Sequence, residues 1–131
     1  MKKNDPKKRI KSYHISNDLL GFTLNLWIVG DMEYGMRVYH LDTGFEYDFK
    51  PDTASGAFVD GCSIIIELHK GKIPIPILYH ETLYATMAVF ERISSHDPSE
   101  EMICRTQQWI VDGFVKQIRK DKEFKFTWKY K

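Results

Sequence analysis

Cysteine is scarce in this 131-residue chain: Cys62 and Cys104 are the only two. So few thiols, so far apart in sequence, supply neither a disulfide framework nor a four-cysteine zinc site. Their scarcity suits a reducing compartment. Long apolar runs are lacking too, and none approaches the roughly 20 residues that a membrane helix needs. There is no excess of either sign of charge. The 19 Lys and Arg stand against 18 Asp and Glu, a formal net charge of +1. That balance argues against a partner held by the electrostatics of the whole chain. The start, MKKNDPKKRIKSYH, is basic but has no apolar h-region behind it, so no secretory signal is expected. With 43% apolar and 28% charged residues, the length suits one soluble, intracellular domain with a real core.

The first dozen residues carry Lys2, Lys3, Lys7, Lys8, Arg9 and Lys11. They read as a flexible basic arm (1–12) ahead of a single domain (13–131). FTLNLWIV (22–29) alternates with a period of two and predicts a half-buried strand. GDMEYG reads as a turn. MRVYHL (36–41) and FEYDF (45–49) read as a hairpin across Asp42-Thr43-Gly44, followed by a loop, KPDTASGAFVDG. CSIIIELH (62–69) is the candidate central strand. KGKIPIP should be extended because of its two prolines. A helix should begin just after Pro76 and run to about Ser94, with Leu83, Met87 and Phe90 on its apolar face.

SSHDPSEE reads as a break and restart, with Asp97 as N-cap, Pro98 as first helical residue and Glu100 completing a capping box. The second helix should reach Arg119 or Lys120, with Ile103, Trp109, Ile110 and Phe114 among its apolar positions. In the tail, Phe124, Phe126, Trp128 and Tyr130 alternate with Lys125, Thr127 and Lys129. That pattern predicts an edge strand with an aromatic face able to bind a partner by β-addition. The element order predicts an α+β fold, a mostly antiparallel sheet of four to five strands packed on two consecutive helices.

One stretch carries chemistry. In YHETLYATMAVF, His80 and Glu81 open like His-Glu-x-x-His, but Tyr84 stands at the second histidine position. Two histidines four apart on a helix can share one zinc ion, and the intervening glutamate can act as general base on the bound water. Downstream, Glu100 and Glu101 offer an acidic third ligand. A phenol with a pKa near 10 is a weak ligand at neutral pH. Cys104, three residues beyond Glu101, and His69 are the other donors. Each has a plain structural alternative. His80 can hydrogen-bond at a helix start, Glu81 can be solvated, Glu100 can serve the capping box, and Cys104 can be a small buried seam residue.

The succession of CSIIIELH, a proline-containing link, YHETLYATMAVFERI, a polar break and EEMICRTQQWIVDGFV resembles small phage-encoded proteins with a zincin-like metallopeptidase fold. The resemblance spans about residues 60–118. It implies that His80 is the first metal ligand, Glu81 the catalytic base and Glu101 the acidic ligand. Tyr84 and the charge of Arg105 depart from the family pattern. The expected function is therefore that of a catalytically inactive zincin-like phage protein without cofactor, acting by protein binding in the host cytoplasm or in the virion. The expected partner is a virion component or a host factor, with a second copy of the chain as a further candidate. Nucleic acid and membrane are not expected partners. One alternative is an active zinc-dependent peptidase that uses Tyr84 or Cys104 as its remaining ligand. Another is an unrelated α+β inhibitor or interaction module.

Overall fold

The alternation in FTLNLWIV is realised as a strand whose two sides feed two separate cores. The computed structural model describes residues 5–43, 55–58, 63–93 and 98–129. Strands β1 (Ile10–Asn17), β2 (Phe22–Val29), β3 (Ser55–Phe58) and β4 (Ser63–Glu67) form one sheet in the order β1-β2-β4-β3. β1 pairs antiparallel with β2, and β3 with β4. β2 and β4 run parallel, with Asn25 beside Ser63 and Val29 beside Glu67. The α+β class is as expected, but the sheet is mixed where a mostly antiparallel one was predicted.

The cause is a helix, α1 (Met32–Thr43), where a turn and a strand were predicted. A hairpin forces neighbouring strands to be antiparallel, whereas a long connection, here containing α1 and β3, lets β4 return alongside β2 in the same direction. Two carboxylates start α1. Asp31 Oδ2 accepts from the Tyr34 N–H at 2.9 Å, and Glu67 Oε2, from the end of β4, accepts from the Met32 N–H at 2.7 Å. Met32, Met36 and Tyr39 then bury one helical stripe. The proposed partner strand FEYDF lies outside the described residues. Part of the predicted loop, Ser55–Phe58, is strand β3.

Ile64, Ile65 and Ile66 are all fully buried but serve opposite faces. Ile64 and Ile66 join Leu24, Leu26 and Ile28 in the larger core, whereas Ile65 packs with Val29, Met32, Met36 and Tyr39. Trp27 meets Tyr39 edge to face on the α1 side, with ring centroids 5.3 Å apart. The result is a three-layer arrangement. Helices α2 (Ile75–Ile93) and α3 (Glu100–Asp121) cover the larger core, α2 against β3 and β4, and α3 against β1. α2 starts at Ile75, slightly earlier than predicted, because proline is tolerated in a first turn that has no use for its N–H. α3 starts at Glu100, capped by Ser99, whose Oγ accepts from the Met102 N–H. Asp97, the predicted cap, lies outside the described residues.

The C-terminal alternation does not join the main sheet. After α3, Lys122 adopts a left-handed φ of 59° and the chain turns back. Only Phe126–Thr127 (β6) is strand, paired parallel with Ile73–Pro74 (β5). The segment predicted as an arm is docked from Asp5 onward. Pro6–Lys8 form a 3-10 turn, and Ile10–Ser12 already belong to β1. Arg9 explains much of this. Its guanidinium lies over the Phe124 ring, 4.4 Å from the centroid, and its Nη2 donates to Glu123 Oε1 at 3.1 Å. On β1, the His14 carbonyl accepts from Gln117 Nε2 of α3, which covers part of an edge strand.

Candidate functional site

α2 carries every side chain of the His80 stretch, so its rotation about its own axis decides their environments. The buried face consists of Leu78, Glu81, Thr82, Ala85, Thr86, Val89 and Phe90. Leu83 and Met87, predicted on that face, are exposed instead. Threonine chemistry accounts for the difference. Thr82 Oγ1 donates to the Leu78 carbonyl at 2.8 Å, and Thr86 Oγ1 to the Thr82 carbonyl at 2.7 Å. With each hydroxyl satisfied by its own helix, these side chains bury as small apolar groups. The rotation that buries them turns Tyr79, Leu83 and Met87, spaced four apart, into an exposed apolar stripe with Tyr84 beside it.

His80 and Tyr84 both face solvent, and their rings meet edge to face with centroids 4.9 Å apart. Glu81, the candidate base, is only 6% exposed and belongs to the buried face. This overturns the solvated alternative for Glu81. Burying a carboxyl requires polar partners, so its position is structurally constrained whatever its chemistry.

Gln107 is a residue that sequence reasoning missed. From α3, its Nε2 donates to the Tyr79 carbonyl at 2.8 Å and contacts Thr82 Oγ1 at 3.3 Å. It therefore clamps the turn that carries His80 and Glu81 onto α3. No pattern in the sequence marks a glutamine for that task, because its partners lie 28 and 25 positions away.

The remaining candidate donors are placed as follows. Glu101 lies in the first turn of α3, where its charge complements the helix dipole, and pairs with Arg105 at 2.6 Å. That pairing gives the two residues a local task as an i, i+4 ion pair. Cys104 is a free, exposed thiol, not the buried seam residue considered above. His69 sits in a tight bridge with Lys72, and its Nε2 is buried without a hydrogen-bond partner among the described residues. Among the described residues, no three His, Cys, Asp or Glu side chains come together as a metal-ligand set. The structure thus brings His80 and Tyr84 together on the exposed face and places Glu81 on the adjoining, buried face of the same turn.

The predicted aromatic binding face divides. Phe124 is buried in the larger core and Phe126 packs partly against it, while Trp128 is 72% exposed. Tyr130 lies outside the described residues. Phe124 and Phe126 are therefore packing residues, because the chain reverses beside β5 and turns their rings inward.

Near the same end, the buried Tyr13 hydroxyl faces the Asp121 carboxylate. Burial, reinforced by that carboxylate, pushes the Tyr13 phenol well above its ordinary value. Desolvation pushes the Asp121 carboxyl upward. The Glu123 backbone N–H, the Tyr13 hydroxyl and the Lys11 ammonium outweigh that push and hold it below the usual carboxylate range.

Compared with protein-family models, with curated proteins and with solved structures, the chain matches none.

Proposed function

We propose that this chain is a zincin-like protein of phage type that has lost metal-dependent catalysis and acts by binding another protein. The observation that carries the reading is the His80–Tyr84 ring contact. At the position where a second imidazole would complete a metal pair, the helix presents a phenol packed against the first one. The order β4, α2, α3 supports the zincin-like comparison, and so does an acidic pair at the start of α3. The exposed stripe of Tyr79, Leu83 and Met87 supports a binding role, since contiguous apolar surface on a soluble protein marks contact sites.

Zinc analysis of purified, tag-free protein tests the catalytic half of this reading. Well below one equivalent is expected, with no peptidase activity restored by added zinc. A stoichiometric metal that EDTA removes together with activity would establish an active hydrolase instead. For the binding half, Leu83→Glu with Met87→Glu should abolish capture of a host or virion protein without altering the circular dichroism. Unchanged capture would reject the stripe as the contact surface.

A further inference from the structure

The net charge is only +1, yet the described residues hold a local concentration of cations. Three stretches far apart in sequence end side by side where β2 and β4 finish. The first leads into β1 and is held there by the Gly30 N–H donating to the Arg9 carbonyl. The second is the tight turn Lys70-Gly71, with φ of 50° and 78° as a type I′ turn requires. The third is the segment after α3. It meets the first through Arg9–Glu123 and the second through the Ile73 N–H donating to the Lys125 carbonyl.

Lys7 and Lys8 of the first stretch, and Lys70 and Lys72 of the second, are exposed. So are Lys122, Lys125 and Lys129 of the third. Among the described residues, none of these lysines has an ion-pair partner. The described carboxylates of this end are engaged. Asp5 caps the 3-10 turn, Asp121 pairs with Lys11, and Glu123 pairs with Arg9. Asp31 and Glu67, further along, hold the start of α1. Glu100 and Glu101 lie at the far end of α3, and Asp18 lies in the β1–β2 turn, also at the far end. Among the described residues, cations without an ion-pair partner therefore gather at this end.

Trp128 belongs to that end. Its indole is 72% exposed, with Lys125 and Lys129 close to it in sequence. We propose that this surface binds single-stranded nucleic acid, with the lysines meeting phosphates and an unstacked base lying on Trp128. Cations around an exposed ring are what a flexible polyanion with flat bases requires. A duplex keeps its bases stacked and has none to offer the indole, and an acidic peptide would use the lysines alone. This surface is built from other residues than the Tyr79–Leu83–Met87 stripe, and it does not depend on the fate of the His80 site.

The test titrates the full chain into fluorescein-labelled oligothymidylate at low salt, following anisotropy and tryptophan emission together. Saturable binding with quenching is expected, weakening with salt at a log–log slope of about −2 or steeper. Trp128→Ala should lower affinity about tenfold or more and remove the quenching, while Trp128→Phe retains most of the affinity. Lys125→Glu with Lys129→Glu should weaken binding and flatten the salt slope by about 1 to 1.5. Arg105→Glu, at the opposite end of α3, should leave both unchanged. Absence of saturable binding overturns the proposal. So does a Trp128→Ala variant that binds like the parent, a duplex of equal length that binds as tightly, or polyglutamate that competes equally.

Discussion

The rings of His80 and Tyr84 meet edge to face one helical turn apart, their planes inclined at 76°. This is the i, i+4 relationship that a pair of metal-binding imidazoles needs, so one substitution should convert it. Tyr84→His is expected to bind about one equivalent of zinc in titration calorimetry, whereas Tyr84→Phe should behave like the parent. Tyr84 is 54% exposed, so neither change should disturb folding. A folded Tyr84→His variant that takes up no more zinc than the parent would count against the zincin-like reading.

Gly35 gives a stability prediction. A Cβ there would stand 2.7 Å from Val29 Cγ1, where α1 packs against the end of β2. Helix propensity alone would favour alanine by roughly 1 kcal/mol. Overpacking a rigid core costs about 1–3 kcal/mol, and here the obstacle is a fully buried valine. Gly35→Ala should therefore be destabilising on balance. In Gly35→Ala with Val29→Ala, the combined loss should be smaller than the sum of the single losses. Urea denaturation of the four proteins measures the coupling.

Arg9 gives a prediction about local order. Removing its guanidinium abolishes a cation–aromatic contact with Phe124 and an ion pair with Glu123. Each is worth roughly 0.2–1 kcal/mol at a partly exposed site. Arg9→Ala should lower global stability by about 2 kcal/mol at most. Its larger effect should be faster hydrogen exchange at Gly30, whose N–H bonds the Arg9 carbonyl. Protection of Val29 and Ile28 should be unchanged, which would localise the effect to the docked segment.

Asp121 makes stability depend on acid. Its carboxyl is held below the ordinary range when folded, so its contribution is present above the unfolded pKa of about 3.9 and is lost as pH falls through the folded value. The parent should lose more stability than Asp121→Asn between about pH 4 and pH 2. Tyr13 has the opposite sign. Its raised pKa means that stability is intact below about pH 10 and declines as pH rises beyond it, a decline that Tyr13→Phe should remove. Chemical denaturation at each pH checks both.

The strands FTLNLWIV and CSIIIELH were legible because apolar patterns with a period of two, or unbroken β-branched runs, depend only on neighbours in sequence. The two long helices were legible for the same reason. α1 was not, because its local cap, Asp31, sits in a stretch that reads as a turn and its second cap, Glu67, is 35 positions away. Its glycine, which reads as a turn signal, is instead a point of close contact with Val29. The buried face of α2 was misread because Thr82 and Thr86 count as polar by composition, yet satisfy themselves within the helix. At the site, the His80-Glu81 motif and Tyr84 could be read directly. The burial of Glu81 and the Gln107 clamp depend on how α2 is rotated against its neighbours, and single residue types do not encode that.

The hydrogen bond from Gln117 to the His14 carbonyl spans 103 positions, and Tyr13 and Ile15 share the larger core with Ile110, Phe114 and Ile118 of α3. A ribosome adding about 5–20 residues per second needs roughly 5–20 s to bridge that separation. For that interval the β1–β2 hairpin lacks the part of its cover that α3 supplies. Early strands and a late cover make the nascent chain a natural client for a chaperone, and they make loss of α3 by premature termination more damaging than its length alone suggests. The helix made late hides the strand made early.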